Sequence, residues 1–344
     1  RDVSSARGPG SEHRVRADPR GGAALEPLDD PVGRRLRERG WLVVDGGLAT
    51  ALEDRGHDLS TALWSARLLI EEPAEIRAVH GAYLEAGADV LVTAAYQATL
   101  EGLVRAGVTR EEARGVLASS TRLAVEAVDA FEAQGADRAR SRPLVAASVG
   151  PYGAWLADGS EYHGQYGLSA GALLDFHAER YRLLAGSGAD LLACETIPSM
   201  LEVEALVRLL DETPDVRCWM SVTCRDGRCL RDGTPVEEAA ALAGAHERVS
   251  AVGFNCTEPT FAGELTERIG GSSGRPVVAY PNSGERWDGR RKRWLGGDEA
   301  GASWIEGVEA AWRAGARILG GCCRTGPAEI AELRRRLERG DWEG

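Results

Sequence analysis

Short apolar runs and longer stretches of mixed pattern take turns along most of this chain. The runs are Trp41–Val44, Asp89–Thr93, Leu144–Ser148, Asp190–Ala193, Cys218–Val222, Ala251–Phe254, Val277–Tyr280 and Arg317–Leu319, each reading as a strand. Between them lie segments whose apolar residues recur at spacings of three and four, the period of a helix with one buried face: Ala74–Ala86, Ala172–Ala185, Leu201–Leu210, Val236–His246, Ala302–Ala314 and Ala328–Leu337. Pro73, Pro198, Pro235 and Pro327 stand near helix starts, where a missing N–H costs nothing. Gly87–Asp89, Gly188–Asp190 and Gly315–Arg317 read as helix ends leading into strands. Strands alternating with helices predict a parallel sheet, and eight of them predict a closed (β/α)8 or TIM barrel of class α/β. An open doubly wound sheet is the alternative, but no GxGxxG follows the first strand.

The pattern is interrupted in three places. Residues 1–40, rich in Arg, Gly, Pro and Asp, read as a flexible leader with one helical turn around Val32–Arg39, ahead of a single barrel domain over residues 41–340. The stretch Tyr96–Pro143 is long enough for two helices. The Gly- and Tyr-rich loop Gly150–Tyr166 reads as a mobile cover over the barrel mouth.

Composition narrows the function. A chain of 344 residues, 43% hydrophobic, can bury one large barrel core. Its net charge of −12, with no basic stripe to offset it, argues against nucleic acid, and no apolar run reaches membrane-spanning length. Seven cysteines are an odd number in a chain too large to need staples, and no signal segment precedes them, so a reducing compartment, the cytoplasm, is expected, with thiols free or on metal. The six histidines show no paired-ligand spacing, which makes sulfur the expected metal donor.

The unusual residues then fall on one rim. Asp45-Gly46-Gly47 follows the first strand, Cys194-Glu195-Thr196 the fourth, Asn255-Cys256-Thr257 the sixth and Gly320-Gly321-Cys322-Cys323 the eighth. Barrel enzymes build their sites at these C-terminal strand ends. Such a rim brings Cys256, Cys322 and Cys323 together, with glycines letting the last strand stop and turn. Three thiolates without a fourth Cys or His describe an open, catalytic Zn2+ site. Such a site can take a substrate thiol, favour its deprotonation and hold it as a nucleophile toward a cationic methyl donor.

Together with Gly150-Pro151-Tyr152-Gly153 and Tyr280-Pro281-Asn282-Ser283-Gly284, these motifs make the chain, from about Trp41 to Leu337, resemble the homocysteine S-methyltransferase family. The resemblance implies a zinc-dependent barrel whose three ligands match Cys256, Cys322 and Cys323. It also implies that Glu195 and Asp45 hold the α-ammonium of homocysteine, with the backbone at Gly46 and Gly47 approaching the amino acid closely. Family members that use betaine carry tyrosine where this chain has Thr196, so a sulfonium donor is expected, S-methylmethionine first and S-adenosylmethionine second. Another thiol or selenol acceptor such as selenocysteine, or a zinc-binding scaffold without turnover, are the alternatives. The partners expected are small molecules only, for a monomer or small homo-oligomer.

Blander roles compete for several residues. Asp45 could cap a turn and Glu195 could pair with an arginine. Tyr96 and Asn282 follow the second and seventh strands, where pocket lining and plain packing compete. Cys194 is expected to pack in the wall, Cys218, Cys224 and Cys229 to be incidental thiols, and His163 and His177 to be surface or packing residues. The basic and aromatic run Arg286–Arg293, with Trp287 and Trp294, reads as a solvated loop.

Overall fold

In the computed structural model, which describes residues 29–59, 65–135, 140–288, 293–295 and 300–342, all eight expected strands form. They are β1 (Leu42–Val43), β2 (Val90–Val92), β3 (Leu144–Val149), β4 (Leu191–Ile197), β5 (Cys218–Val222), β6 (Val249–Asn255), β7 (Val277–Tyr280) and β8 (Ile318–Leu319). Each is parallel to its sequence neighbours, β1 pairs with β8, and a parallel bridge between Val44 and Val90 closes the ring between β1 and β2. The fold is a (β/α)8 barrel. Gly87, Gly188 and Gly315, just ahead of β2, β4 and β8, take φ values of 105°, 89° and 109°, a left-handed region that a side chain would strain.

Strand periodicity sorts the core into two layers. Leu42 and Val44, Leu144 and Ala146, Leu191 and Ala193 point into the barrel with Trp219, Ala251, Val278 and Ile318. Their neighbours Val43, Val145, Leu192 and Val252 face the surrounding helices. Continued up each strand, the inward parity reaches polar residues: Ser148 on β3, Glu195 on β4, Ser221 on β5, Asn255 on β6. This is why β4 and β6 run past the apolar stretches that mark them in sequence. Their last inward-facing residues, Glu195 and Asn255, are polar because they face the barrel mouth.

The N-terminal boundary needs correction. Pro31–Arg39, inside the expected leader, is a helix ended by Gly40 at φ 86°, and its Val32 is fully buried with Leu36 packed against the inner layer. It closes the bottom of the barrel, so the folded unit begins before Trp41; residues 1–28 lie outside the described residues. The second to third strand connection does hold two helices, Leu100–Arg105 and Arg110–Ala133. The run predicted as a loop contains a two-stranded antiparallel ribbon, Arg286–Asp288 with Arg293–Leu295; residues 289–292 and the side chains of Trp287 and Trp294 lie outside the described residues. Among the described residues no helix is long and apolar enough to cross a membrane.

One core residue carries a pH signature. His80, in the helix Pro73–Ala86, is fully buried, neither ring nitrogen has a hydrogen-bond partner, and burial pushes its pKa down to about 4. Between pH 6.5 and 4 the unfolded chain holds the proton that the folded chain refuses, so stability falls as pH drops through that window. His80→Leu removes this dependence and is expected to raise stability at pH 5 by roughly 2 kcal/mol relative to the change at pH 8. Denaturant unfolding at the two pH values reads the difference; equal shifts at both would show that the imidazole finds a partner.

Candidate metal centre and substrate cavity

The sulfur cluster is built from two strand ends. After Asn255 the backbone turns at Cys256, whose φ of 46° is uncommon for a non-glycine residue. Beyond β8, Gly320 N donates to Ala279 O (3.1 Å), Cys322 N to Pro281 O (3.0 Å), and Ser283 N to Cys323 O (3.0 Å), which fixes the loop against β7. The left-handed turn that ends this loop falls on Arg324, φ 62°, and not on the glycines as the sequence suggests. Gly321 is required for another reason: a Cβ there would strike the Thr325 side chain.

Cys256, Cys322 and Cys323 meet as predicted, their sulfurs all within 4.8 Å of one another. Cys256 Sγ lies 3.5 Å from Cys323 Sγ, close to the roughly 3.8 Å that two thiolates about 2.3 Å from one tetrahedral ion would show. The donor set is soft and three-membered, which fits a thiophilic metal with a free position. One expectation is corrected: Cys256 and Cys322 are joined as a disulfide, with Cys323 a free thiol. Thiols held this close can pair on oxidation, and the Cα separation of 5.6 Å lies within disulfide range.

Beside the sulfurs a cavity of about 130 Å3 opens, lined by Asp45, Gly46, Gly47, Tyr96, Glu195 and Thr196, among others. Glu195 is buried, with Oε1 accepting from Ser148 Oγ (2.5 Å) and Oε2 from Tyr280 OH (3.1 Å); burial raises its pKa to about 7 against those two stabilising bonds. Asp45 is also buried, and its Oδ2 accepts from Val92 N (2.9 Å), so it caps the adjacent strand while facing the cavity. Burial, and then the charge of Glu195, push its pKa well up. Two buried carboxylates on one cavity wall make a place for a cation.

The glycines after β1 are explained differently from expectation. A Cβ on Gly46 would lie 2.5 Å from Thr325 O, and one on Gly47 2.6 Å from Cys322 O. The close approach is first of all to the sulfur loop, and Tyr83 OH stitches the two by donating toward Gly47 O (3.0 Å) and Thr325 O (3.1 Å).

Asn255 is the residue that sequence reasoning passed over. Its Oδ1 accepts from Thr196 N (2.7 Å) and Ser221 Oγ (2.8 Å), while its Nδ2 donates to Thr196 Oγ1 (2.7 Å) and reaches Cys322 Sγ at 3.8 Å. It thereby holds Thr196 at a φ of 60° and ties the substrate wall to the sulfurs. Inward parity on β6 is the signal that points to it, as it is for Ser148 and Tyr280. Glu161 and Tyr162, from the loop read in sequence as a cover over the mouth, also line the cavity, though neither residue is singled out within it.

Not every candidate is at the site. Asn282 is outside the cavity lining, with Oδ1 accepting from Gly284 N (3.1 Å) in a turn. Cys194, at outward parity, is buried in the outer layer with Cys218, and Cys224 and Cys229 flank a turn. His177 packs fully buried, Nε2 at 2.7 Å from Glu202 Oε1 and Nδ1 at 3.1 Å from Arg180, and His163 Nδ1 accepts from Gln165 N (3.1 Å). The loop after β3 covers the mouth, but in packed form, with Tyr152 in edge-on and tilted contact with Trp155, Tyr166 and Phe176.

A (β/α)8 barrel whose C-terminal rim gathers three cysteines that could hold a metal ion beside a cavity with two buried carboxylates is the architecture of an enzyme acting on a small molecule. The family model for homocysteine S-methyltransferase matches residues 42–337, and the chain belongs to that family and is an enzyme of it. It is 43% identical over 309 residues to homocysteine S-methyltransferase YbgG of Bacillus subtilis (strain 168), covering 88% of this chain and 96% of that one. It is 44% identical over 308 residues to a selenocysteine Se-methyltransferase of Brassica oleracea var. italica, covering 87% and 89%. The homocysteine methyltransferase MmuM from Escherichia coli superposes in its oxidized form with a TM-score of 0.81 at 40% identity, over 90% of this chain and all of that one. Its metallated form gives 0.79 at 41% identity, over 89% and 99%.

Proposed function

We propose that the enzyme moves a methyl group from a sulfonium donor, S-methylmethionine in preference to S-adenosylmethionine, to the sulfur of L-homocysteine, forming methionine. The observation that carries this is the placement of three sulfurs within 4.8 Å of one another on the wall of the cavity that Asp45 and Glu195 line. Cys256, Cys322 and Cys323, reduced, would hold one zinc ion, which when bound supplies a Lewis acid that favours the thiolate form of a substrate thiol near neutral pH. A reducing compartment, the cytoplasm, suits a centre that needs all three thiolates.

The chain's own residues do the rest. Asp45 and the ionised Glu195 hold the α-ammonium of the acceptor, which places its thiol toward the cysteines. Asn255 Nδ2 leans toward Cys322 Sγ and fixes Thr196, so the wall and the sulfur cluster keep one geometry. Tyr162, half-buried over the cavity, helps to exclude water. The acceptor loses its thiol proton to solvent, its sulfur forms the new S–CH3 bond, and the old CH3–S+ bond breaks with its electron pair left on the donor sulfur. An anion and a cation become two neutral thioethers, so in-line positioning in a dry site supplies much of the rate.

Selenocysteine as acceptor is the second reading, favoured by the 44% identity to a relative named for that activity. A panel of two acceptors, homocysteine and selenocysteine, against S-methylmethionine, S-adenosylmethionine and betaine decides both points. Homocysteine with S-methylmethionine is expected to give the highest kcat/KM; product only with betaine would sink the donor assignment, and faster selenocysteine turnover the acceptor. A zinc scaffold without turnover would give no product with any pair.

A further inference from the structure

Three carboxylates line the cavity, and in the methyl transfer proposed above only Asp45 and Glu195 are given to the acceptor's single ammonium. The third is Glu161, in the short 3-10 turn Ser160–Tyr162 of the loop that covers the mouth. Its state differs from the other two. Both oxygens of Glu195 and Oδ2 of Asp45 accept hydrogen bonds from the protein, whereas Glu161 Oε2 is buried and has none. Among the described residues no arginine or histidine forms an ion pair with it; Arg231, whose guanidinium lies 5.4 Å from the Tyr162 ring, is turned to Thr223 Oγ1 (3.3 Å) and Cys256 O (3.4 Å). An ionised carboxylate with a buried oxygen and no donor is unfavourable, and a cation arriving from outside the chain would relieve that cost.

The turn that carries Glu161 is held in place. Asp158 Oδ1 accepts from Ser160 N (2.9 Å), Ser160 is buried, and Gly153 packs so tightly on the turn that a Cβ there would collide with Glu161 N. The carboxylate is therefore presented to the cavity by a rigid support. Tyr162 beside it and Tyr96 across the lining add aromatic surface, which attracts a soft cation.

We propose that Glu161 is the counter-ion for the methyl donor, holding the sulfonium amino acid by its positive charge and so discriminating it from neutral thioethers. This rests on the methyl-transfer reading above. The sulfonium loses its charge as the methyl leaves, so a carboxylate beside it binds the donor more strongly than the transition state. Its removal therefore acts on donor KM and leaves kcat unchanged or slightly raised.

The test compares Glu161→Gln, which keeps shape and loses charge, with Glu161→Asp, which keeps charge. In kinetics with homocysteine and S-methylmethionine, Gln is expected to raise donor KM by about tenfold or more, the worth of a charge-assisted contact, with homocysteine KM and metal content unchanged and Asp in between. Calorimetry with S-methylmethionine and with methionine separates charge from shape. The wild type prefers the cation, and Glu161→Gln loses that preference while methionine affinity holds within about twofold. An equal loss for both ligands, a loss confined to homocysteine, or no change overturns the assignment. If the wild type turns over no sulfonium, the reaction proposed above fails, while the calorimetric preference still decides Glu161.

Discussion

Cys322→Ala, assayed with a thiol reductant present, is expected to lose bound metal on dialysis and to reduce methyl transfer by about three orders of magnitude, while the barrel keeps its fold. The reductant matters because Cys256 and Cys322, when paired with each other, cannot serve as thiolate ligands. The size of the loss follows from the ligand count. Structural zinc sites bind with roughly 10–16 kcal/mol over four ligands, so one thiolate of three is worth on the order of 3 kcal/mol, more than a hundredfold in affinity. The remaining loss is in the chemistry, because an alkyl thiol with an ordinary pKa near 8.5 is mostly protonated at neutral pH without a cation beside it. The fold survives because the loop is tied by main-chain bonds, Cys322 N to Pro281 O and Gly321 N to Asp45 O, which alanine retains. Metal analysis, initial rates and a circular-dichroism melt on the same preparation check all three parts. Full activity after chelation, in the variant or in the wild type, would remove the metal from the mechanism.

What could be read from the sequence depended on how far each feature is fixed by local pattern. β5 and β7 have the same limits in sequence and structure, because both are short apolar runs with clear turn signals at each end. β4 and β6 were underestimated at their C-terminal ends, where side chains turn polar because the strand has reached the mouth. The cysteines and the two carboxylates were legible because a barrel sends every β-to-helix loop to one face, whatever the spacing in sequence. Asn282 sits on that same face and still misses the cavity, since its side chain is consumed by Gly284 N. Glu161 had no such signal. It enters through the packing of a loop on Gly153, a tertiary contact with no periodicity behind it. The helical turn around Val32–Arg39 was legible, but its packing onto the barrel was not, because in a polar leader few apolar residues, Val32 and Leu36 among them, mark its buried side.

Glu195→Gln is expected to make the protein more stable and nearly inactive at the same time. In the unfolded chain this carboxyl titrates near 4.5, and in the barrel burial lifts it to about 7 despite the hydroxyls of Ser148 and Tyr280. Between those values the folded state holds a proton that the unfolded state has released, so stability declines as pH rises from 4.5 to 7 and stays lower above it. Glutamine has no such proton. Its advantage over the wild type should grow across that window and level off at about 3 kcal/mol by pH 8, as 2.5 pKa units convert. Activity should move the other way. A neutral amide cannot hold an ammonium by charge, and the lost charge-assisted bond predicts a fall of about a hundredfold in kcat/KM for homocysteine. In the wild type, kcat/KM should also climb with pH through about 7 as the carboxylate forms. Asp45 is itself raised by burial and by Glu195, so the two carboxyls are coupled and the apparent value belongs to the pair. The limb should vanish or shift in the variant, while the metal stays bound because no cysteine has changed. Unfolding curves at pH 5 and 8 and a pH–rate profile test the two halves separately. A variant no more stable at pH 8 than the wild type would show that Glu195 is not desolvated, and unchanged homocysteine kinetics would place the ammonium elsewhere. Both outcomes as expected would mark Glu195 as a site where the fold gives up stability to keep a charge ready for its ligand.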